Sequence, residues 1–566
     1  KLQFSSTRFL NNKPPQLFHM VGHQSEDLFV GVDVGTGSAR SALVTARGEV
    51  IKVATKSIRT WSPKPNFFQQ SSEEIWDAVC YTVKEVTRCI EAERVKGIGF
   101  DATCSLVAVG VLGHPVTISP DGEPEQDVIL WMDHRAQEEA DIINSTGHPL
   151  LKNVGGKVSL EMEIPKLMWL KKNLSRACWD HADLFFDLPD FLTWKATGCD
   201  SRSLCSVVCK WMFDASPDTK RWCKELLSRL DLDDLLEKDC HKIGSVIKTP
   251  GDPCGEGISP LAAHALNLLP GTPVGTSIID AHAGGLGLIG CRAENVSPSL
   301  SSRLSLICGT STCHMAVSKE KLFVEGVWGP YYSAMVPSLW LNEAGQSATG
   351  KLIDHIIETH PATELILEKI PEDKRVVEYL NEFLEQMSVE QKKPIDLLTK
   401  DIHVWPDFHG NRSPIADPTL KGMVCGLELA AGEEQLALLY LATLQALSYG
   451  TRHIMEVMHQ SGYAFETILV CGGLSKNPMF LRCQANAVSK TVLIPKEPES
   501  VLVGAAILGA TASKVYPDIL TAIQNMGGLA EKFEPSLQVT EYHEKKYKVY
   551  KKMLEHQQQY RKIMES

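Results

Sequence analysis

The chain has 566 residues, 43% of them hydrophobic and 22% charged, with a net charge of −12. That length exceeds one ordinary core and points to two large domains. The acidic balance excludes nucleic acid and anionic membrane as main partners, and no apolar run is long enough to span a bilayer: the small-residue stretch Ser277–Gly290 is broken by Asp280 and His282.

Residues 1–27 form an N-terminal extension. Lys1–Ser25 holds no acid and carries Lys1, Arg8 and Lys13. A transit peptide has that composition. We read the segment instead as disordered or non-native sequence around Met20, ahead of the first strand.

Leu28–Val34 reads as a buried strand, followed by strands Ser41–Thr45 and Val50–Lys56 around the turn Arg47-Gly48. Ser72–Glu93 has helical spacing, with Ser72 as N-cap, acids in the first turn, and Ile75, Val79, Val83 and Val86 on one face. Val95–Asp101 and Val128–Met132 are short strands. Leu150–Asn173, Leu184–Gly198 and Arg221–Glu237 are expected helices, and Val274–Ile279 is a strand leading into a small-residue helix, Ala281–Ile289. Polar Cys291–Ser302 separates residues 28–296 from a second domain at 303–515. In that half Thr359–Lys400 reads as a charged, helical surface insertion and Glu433–Gln460 as a long periodic helix. Thr467–Val470 is a strand, and Met479–Val488 and the Ala/Gly-rich Ser500–Ser513 are helices. Residues 516–566 form a C-terminal helical segment. Strands alternating with helices indicate an α/β fold.

The chain repeats itself. Phe29–Leu43, FVGVDVGTGSARSAL, and Leu304–Val317, LSLICGTSTCHMAV, are each strand, Gly-Thr turn and strand. Gly35, Thr36, Gly37 and Ser38 align with Gly309, Thr310, Ser311 and Thr312. Glycine admits backbone amides close to an anion and the hydroxyls add donors, so each turn suits phosphate. Asp33, at the first strand's end, suits Mg²⁺, and Arg40 can add a charge-assisted contact to phosphate.

Other residues carry chemistry. Asp280 ends a buried strand among Gly and Ala, the place for a base that takes a proton from an alcohol; a plain helix N-cap is the alternative, and His282 reads as a satisfied structural histidine. Cys471-Gly472-Gly473-Leu474-Ser475-Lys476-Asn477 joins a strand to a helix, leaving room for a base or phosphate. Asp101 with Thr103, Lys210 beside Trp211, and Glu343 with Gln346 are polar residues in apolar settings that suit a polyol, and Arg412 sits in a loop that can face the same cleft. Sixteen cysteines without a CxxC pair read as reduced thiols of a cytoplasmic protein.

Taken together, the phosphate loops, IIDAHAGG, HGNRSP, and GGLSKNP followed by PESVLVGAAILGA closely resemble the FGGY carbohydrate kinase family, within the actin/Hsp70/hexokinase superfamily. FDATCS, LPDFLTWKATG and WLNEAGQS are most similar to its ribulokinase branch. The resemblance implies two actin-like (ribonuclease H-like) domains closing over ATP, Mg²⁺ and sugar. It implies Asp280 as catalytic base and Asp33 as the Mg²⁺-associated acid. Thr36, Arg40, Gly309 and Thr310 are implied at the triphosphate, Gly473 and Asn477 beside adenosine, and Lys210, Asp280, Glu343 and the Cys104 segment around a ketopentose. The expected partner is a small sugar, bound by a monomer or homodimer. Another sugar or polyol (xylulose, L-ribulose, ribitol) is the alternative substrate. An actin-like ATP switch is the alternative class, against which the polar set Lys210, Glu343 and Gln346 argues.

Overall fold

The computed structural model describes residues 26–217 and 219–566; residues 1–25 of the N-terminal extension lie outside them. Two sheets organise the chain. The first runs Val274–Ile279, Val95–Ala102, Leu28–Val34, Ser38–Thr45, Val50–Ser57 in spatial order. The second runs Trp328–Tyr332, Trp340–Gln346, Thr312–Ser318, Arg303–Cys308, Thr467–Gly472, Thr491–Pro495, Ala530–Phe533.

Both sheets share one core plan. An antiparallel hairpin, Leu28–Val34 with Ser38–Thr45 or Arg303–Cys308 with Thr312–Ser318, lies beside a parallel strand that returns after a long crossover. A third antiparallel strand lies on one side and a second parallel strand on the other. Leu28–Val34 is buried throughout, as a strand covered on both faces must be. Each hairpin loop is three residues long, 35–37 and 309–311, because the second strand of the first hairpin begins at Ser38 rather than Ser41.

One helix joins the two halves. Ser500–Ala512 lies in sequence between two strands of the second sheet, Thr491–Pro495 and Ala530–Phe533, but packs on the first. The contact is backbone to backbone. A methyl group on Gly31 would come within 2.0 Å of the Leu502 carbonyl oxygen, and one on Gly99 within 2.0 Å of that of Ala505. The same helix meets Asp280–Ile289, where a methyl on Gly504 would lie 2.0 Å from the Ala283 oxygen. The other face of Asp280–Ile289 reaches the second sheet at Ile307 and Met315. The close packing expected of the Ala/Gly helix is thus realised, and these paired helices form the seam between the halves.

Several boundaries differ from expectation. The first helix is capped by Ser71, which accepts from the Glu74 N–H, and ends at Thr87 rather than Glu93, just before Cys89 at φ +70°. Leu184–Gly198 is not one helix. Ala182–Asp187 is a strand paired with Leu106–Gly110, and the helix Leu188–Thr197 starts only where Pro189 occupies its first turn. Leu150–Asn173 breaks at Gly155 and Gly156, both at positive φ, leaving a helix over Glu163–Asn173. Arg221–Glu237 keeps an α-helix only over Lys224–Arg229, and Val128–Met132 pairs only at Val128–Ile129. The 359–400 segment is no solvated insertion: Ile366, Leu380, Leu384 and Met387 bury into the core around Glu433–Gln460. The C-terminal helix Thr540–Glu565 likewise buries Tyr547, Tyr550 and Met553 against Trp405 and Tyr449. Among the described residues, no helix is long and apolar enough to cross a membrane.

Candidate active site

Three carboxylates meet at the C-terminal ends of neighbouring parallel strands of the first sheet. Asp33 pairs in register with Asp101, and Ile278, two residues before Asp280, pairs with Asp101 from the other side. Asp33 and Asp101 are buried. Arg40 grips one oxygen of Asp33 through Nε at 3.0 Å and Nη2 at 2.7 Å, and its Nη1 donates to Glu499 at 2.7 Å. Among the described residues neither oxygen of Asp101 has an N–H or hydroxyl donor, and its side chain faces that of Asp33. Burial, then the charges of Asp33 and Asp280, hold its pKa well above the usual carboxylate range. An orphaned buried carboxylate beside two others is satisfied by a proton or a cation, and this oxygen-only set fits Mg²⁺. The structure therefore brings Asp101, read from sequence as a sugar contact, next to Asp33.

Asp280 is the first residue of its helix. Its Oδ1 accepts from the Ala281 N–H at 2.6 Å, which leaves Oδ2 for other chemistry. Burial and the charge of Asp33 raise its pKa to about 6. It is therefore not the N-cap, a place taken by Ile279, and it keeps the proton affinity that a general base needs near neutral pH.

The second sheet supplies the opposing wall. Cys308 pairs in register with Gly472, so the loop Gly309-Thr310-Ser311 stands beside the turn Gly472-Gly473. Gly472 takes φ +85°, and a methyl group there would come within 2.3 Å of the Cys308 oxygen, so a side chain at this position would push the turn and loop apart. Gly309 and Thr310 are exposed, and their carbonyls accept from the first amides of the helix Gly350–Thr359. In the first sheet's loop the Trp131 indole donates to the Thr36 hydroxyl at 2.9 Å and Gln70 to the Thr36 carbonyl at 2.7 Å, while Gly37 is exposed. Ser38 begins the returning strand, and its carbonyl accepts from the Gly35 N–H. Asn477 behaves differently from expectation. Its Oδ1 accepts from Met479 and Phe480 and from Asn381, and its Nδ2 donates to the Tyr440 hydroxyl, so the side chain is spent on capping the helix.

A buried cluster of charged side chains lies near Asp280 and draws on both halves. Arg412 donates to Glu343 Oε1 at 2.7 Å and lies 3.8 Å from Glu161, which is also 3.8 Å from Lys210. Lys210 and Arg412 flank the Trp328 ring at 4.5 and 4.3 Å, a shared cation–π contact. Despite its burial, the charges of Lys210 and Arg412 hold the Glu343 pKa below its ordinary value. Cys104, whose Sγ lies 3.9 Å from the Glu161 carbonyl, stays a neutral thiol because burial raises its pKa well above normal. His282 is a buried core histidine satisfied on one side only: its Nε2 bonds Cys209 at 3.8 Å and sits 3.6 Å from Glu343, while among the described residues its Nδ1 has no hydrogen-bond partner. Glu161, Trp328, Cys205 and Cys209 escaped the sequence reading. Only the spacing of Cys205 and Cys209, one helical turn apart, carried a signal.

The chain matches the FGGY family of carbohydrate kinases over residues 28–287 for its N-terminal domain and 304–513 for its C-terminal domain. It is 48% identical over 549 residues to the FGGY carbohydrate kinase domain-containing protein of Homo sapiens, covering 95% of this chain and 98% of that one. It is 41% identical over 516 residues to a D-ribulokinase of Saccharomyces cerevisiae, covering 86% of this chain and 72% of that protein. The fold matches a xylulose kinase from Rhodospirillum rubrum with a TM-score of 0.76 at 18% identity, over 94% of this chain and 99% of that one. Two α/β domains of the actin/ribonuclease H-like type thus frame a cleft, and the chain belongs to the FGGY family of carbohydrate kinases, as an ATP-dependent sugar or polyol kinase.

Proposed function

We propose that this kinase phosphorylates the terminal hydroxyl of a ketopentose, D-ribulose first, to give the 5-phosphate. The observation that carries the reading is the place of Asp280: a carboxylate with its pKa raised to about 6 stands between the Asp33–Asp101 pair and the Lys210–Glu343–Arg412 pocket. A base poised near neutrality, next to a pocket of fixed charges, suits proton removal from a sugar alcohol.

In this reading Asp33 and Asp101 hold Mg²⁺, the loops at Gly35–Ser38 and Gly309–Ser311 hold phosphates, and Gly472 and Gly473 leave room for the adenosine side. Bound Mg²⁺-ATP supplies the transferable phosphoryl group and neutralises its charge. Asp280 takes the hydroxyl proton on Oδ2, the oxygen not engaged by Ala281. Lys210, Glu343 and Arg412 orient the sugar oxygens, with Cys104 against the wall. Arg40 holds Asp33 in place and turns to phosphate only by releasing Glu499. Residues 28–296 then form the sugar side and 303–515 the ATP side, with Ser500–Ala512 reaching back as a strut. The free thiols support a reducing, cytoplasmic setting.

Similarity to a protein named D-ribulokinase, at 41% identity, supports D-ribulose over xylulose, L-ribulose or ribitol. An actin-like switch has no need of the buried Lys210–Glu343–Arg412 set. The test is coupled ADP release with Mg²⁺-ATP across these ketopentoses and pentitols. D-ribulose should give the highest kcat/KM. Preference for another sugar replaces the substrate, and sugar-independent ADP release overturns the kinase mechanism.

A further inference from the structure

Beneath the sugar pocket lies a cluster that phosphoryl transfer does not use. Cys205 and Cys209 occupy one face of the short helix Leu204–Lys210, and His282 approaches from the helix that begins at Asp280. One ligand atom from each of the three lies within 4.8 Å of the other two, and all three residues are buried. His282 Nε2 is 3.8 Å from Cys209 Sγ and 3.6 Å from Glu343 Oε2. Bond lengths around tetrahedral zinc set ligand-to-ligand edges of about 3.3–3.8 Å, so the two edges that His282 makes, to Cys209 and to Glu343, match a coordination tetrahedron.

A further observation points to a ligand. Glu343 Oε1 is held by Arg412, but among the described residues Oε2 is buried without a hydrogen-bond partner. Two sulfurs and an imidazole select a soft or borderline ion over Mg²⁺, whose hard-oxygen ligands lie at Asp33 and Asp101.

We propose that Cys205, Cys209, His282 and the free oxygen of Glu343 bind a Zn²⁺ ion in the floor of the sugar pocket, and that this ion and the sugar compete for Glu343. Binding releases two protons to solvent, leaving Cys205 and Cys209 as thiolates and His282 as a neutral imidazole, and forms two Zn–S bonds without change of oxidation state. Lys210 follows Cys209 directly, so the ion also fixes the end of the helix that presents the ammonium to the pocket. The competition rests on the pocket reading above; the metal site does not.

The experiment uses the full chain, kept reduced by a non-thiol phosphine, with Co²⁺ as spectroscopic probe and Zn²⁺ as inhibitor. Co²⁺ should give thiolate-to-metal charge transfer and the visible bands of a tetrahedral ion, and Cys205→Ala and Cys209→Ser should each lose them. Zn²⁺ should raise the KM for sugar by about tenfold or more while leaving the KM for ATP unchanged, the mark of competition at one subsite. Cys205→Ala should keep kcat within about twofold and escape that inhibition. Circular dichroism of both variants checks folding, and Cys205→Ser serves if one of them misfolds. A cobalt spectrum unchanged by Cys205→Ala overturns the site. A cobalt site without competition against sugar overturns the coupling. The spectrum decides the site even if D-ribulose is not the substrate.

Discussion

The two glycine hairpins have one backbone and two chemistries. Asp33 on the first aligns with Ile307 on the second, and the parallel neighbours repeat the contrast: Asp33 pairs with Asp101, whereas Ile307 pairs with Cys471. Each pair lies at the same place in its sheet, just before a three-residue loop. The first sheet ends in buried carboxylates, and the second ends in apolar side chains beside an open Gly472-Gly473 turn. Backbone plan therefore sets where a site can be, and a few strand-end side chains set what it does. The carboxylate end handles charge and protons; the apolar end leaves space and backbone amides.

Breaking the carboxylate end should have the largest effect. Asp280→Asn keeps the Ala281 hydrogen bond but not the base, so sugar-dependent kcat should fall by about 10³ with the KM for ATP little changed, as steady-state kinetics would show. Asp101→Asn should lower kcat by about 10² and raise the Mg²⁺ concentration needed for half-maximal rate, because it removes a carboxylate from the cation set. Transplanting the charge sharpens the comparison. Cys471→Asp puts an acid into a site 2% exposed with no partner cation, so thermal unfolding should show a loss of about 3 kcal/mol or more. Full stability in that variant would mean the second sheet's end tolerates charge and is not an apolar counterpart.

Smaller effects should separate the subsites. Gly472→Ala forces a side chain toward the Cys308 oxygen at a positive φ, and should raise the KM for ATP about tenfold while sparing the KM for sugar. Arg412→Lys loses the planar guanidinium that donates to Glu343 and stacks on Trp328, and should do the reverse, raising the KM for sugar by about fivefold. If both variants move the same constant, the separation of the two walls is wrong.

Much of this was legible beforehand, and the reasons differ by residue. The hairpin turns show in local glycine and hydroxyl chemistry, so Gly35–Ser38 and Gly309–Thr312 can be aligned by eye. Asp33, Asp101 and Asp280 stand out because each ends a run of buried strand residues. The strand Ala182–Asp187 overlaps the expected helix Leu184–Gly198 because LFFD is apolar without a clear period, and only pairing with Leu106–Gly110 decides its state. The resemblance implies Asn477 beside adenosine, but its bonds to Tyr440 and Asn381, like its capping of the helix, exist only in the assembled fold.

By itself, then, the sequence determined the duplicated hairpins, the acids at strand ends and the small-residue helices, because turn chemistry and hydrophobic period are written within a few residues of one another. Tertiary structure alone decided that Ser500–Ala512 crosses back to the first sheet, that Asp101 joins Asp33, and that Arg412 reaches Glu343 and Glu161. It alone placed His282 against Cys205 and Cys209. These contacts join residues from distant parts of the chain. Their energy comes from burial and charge in the assembled cleft, which no local window of sequence contains.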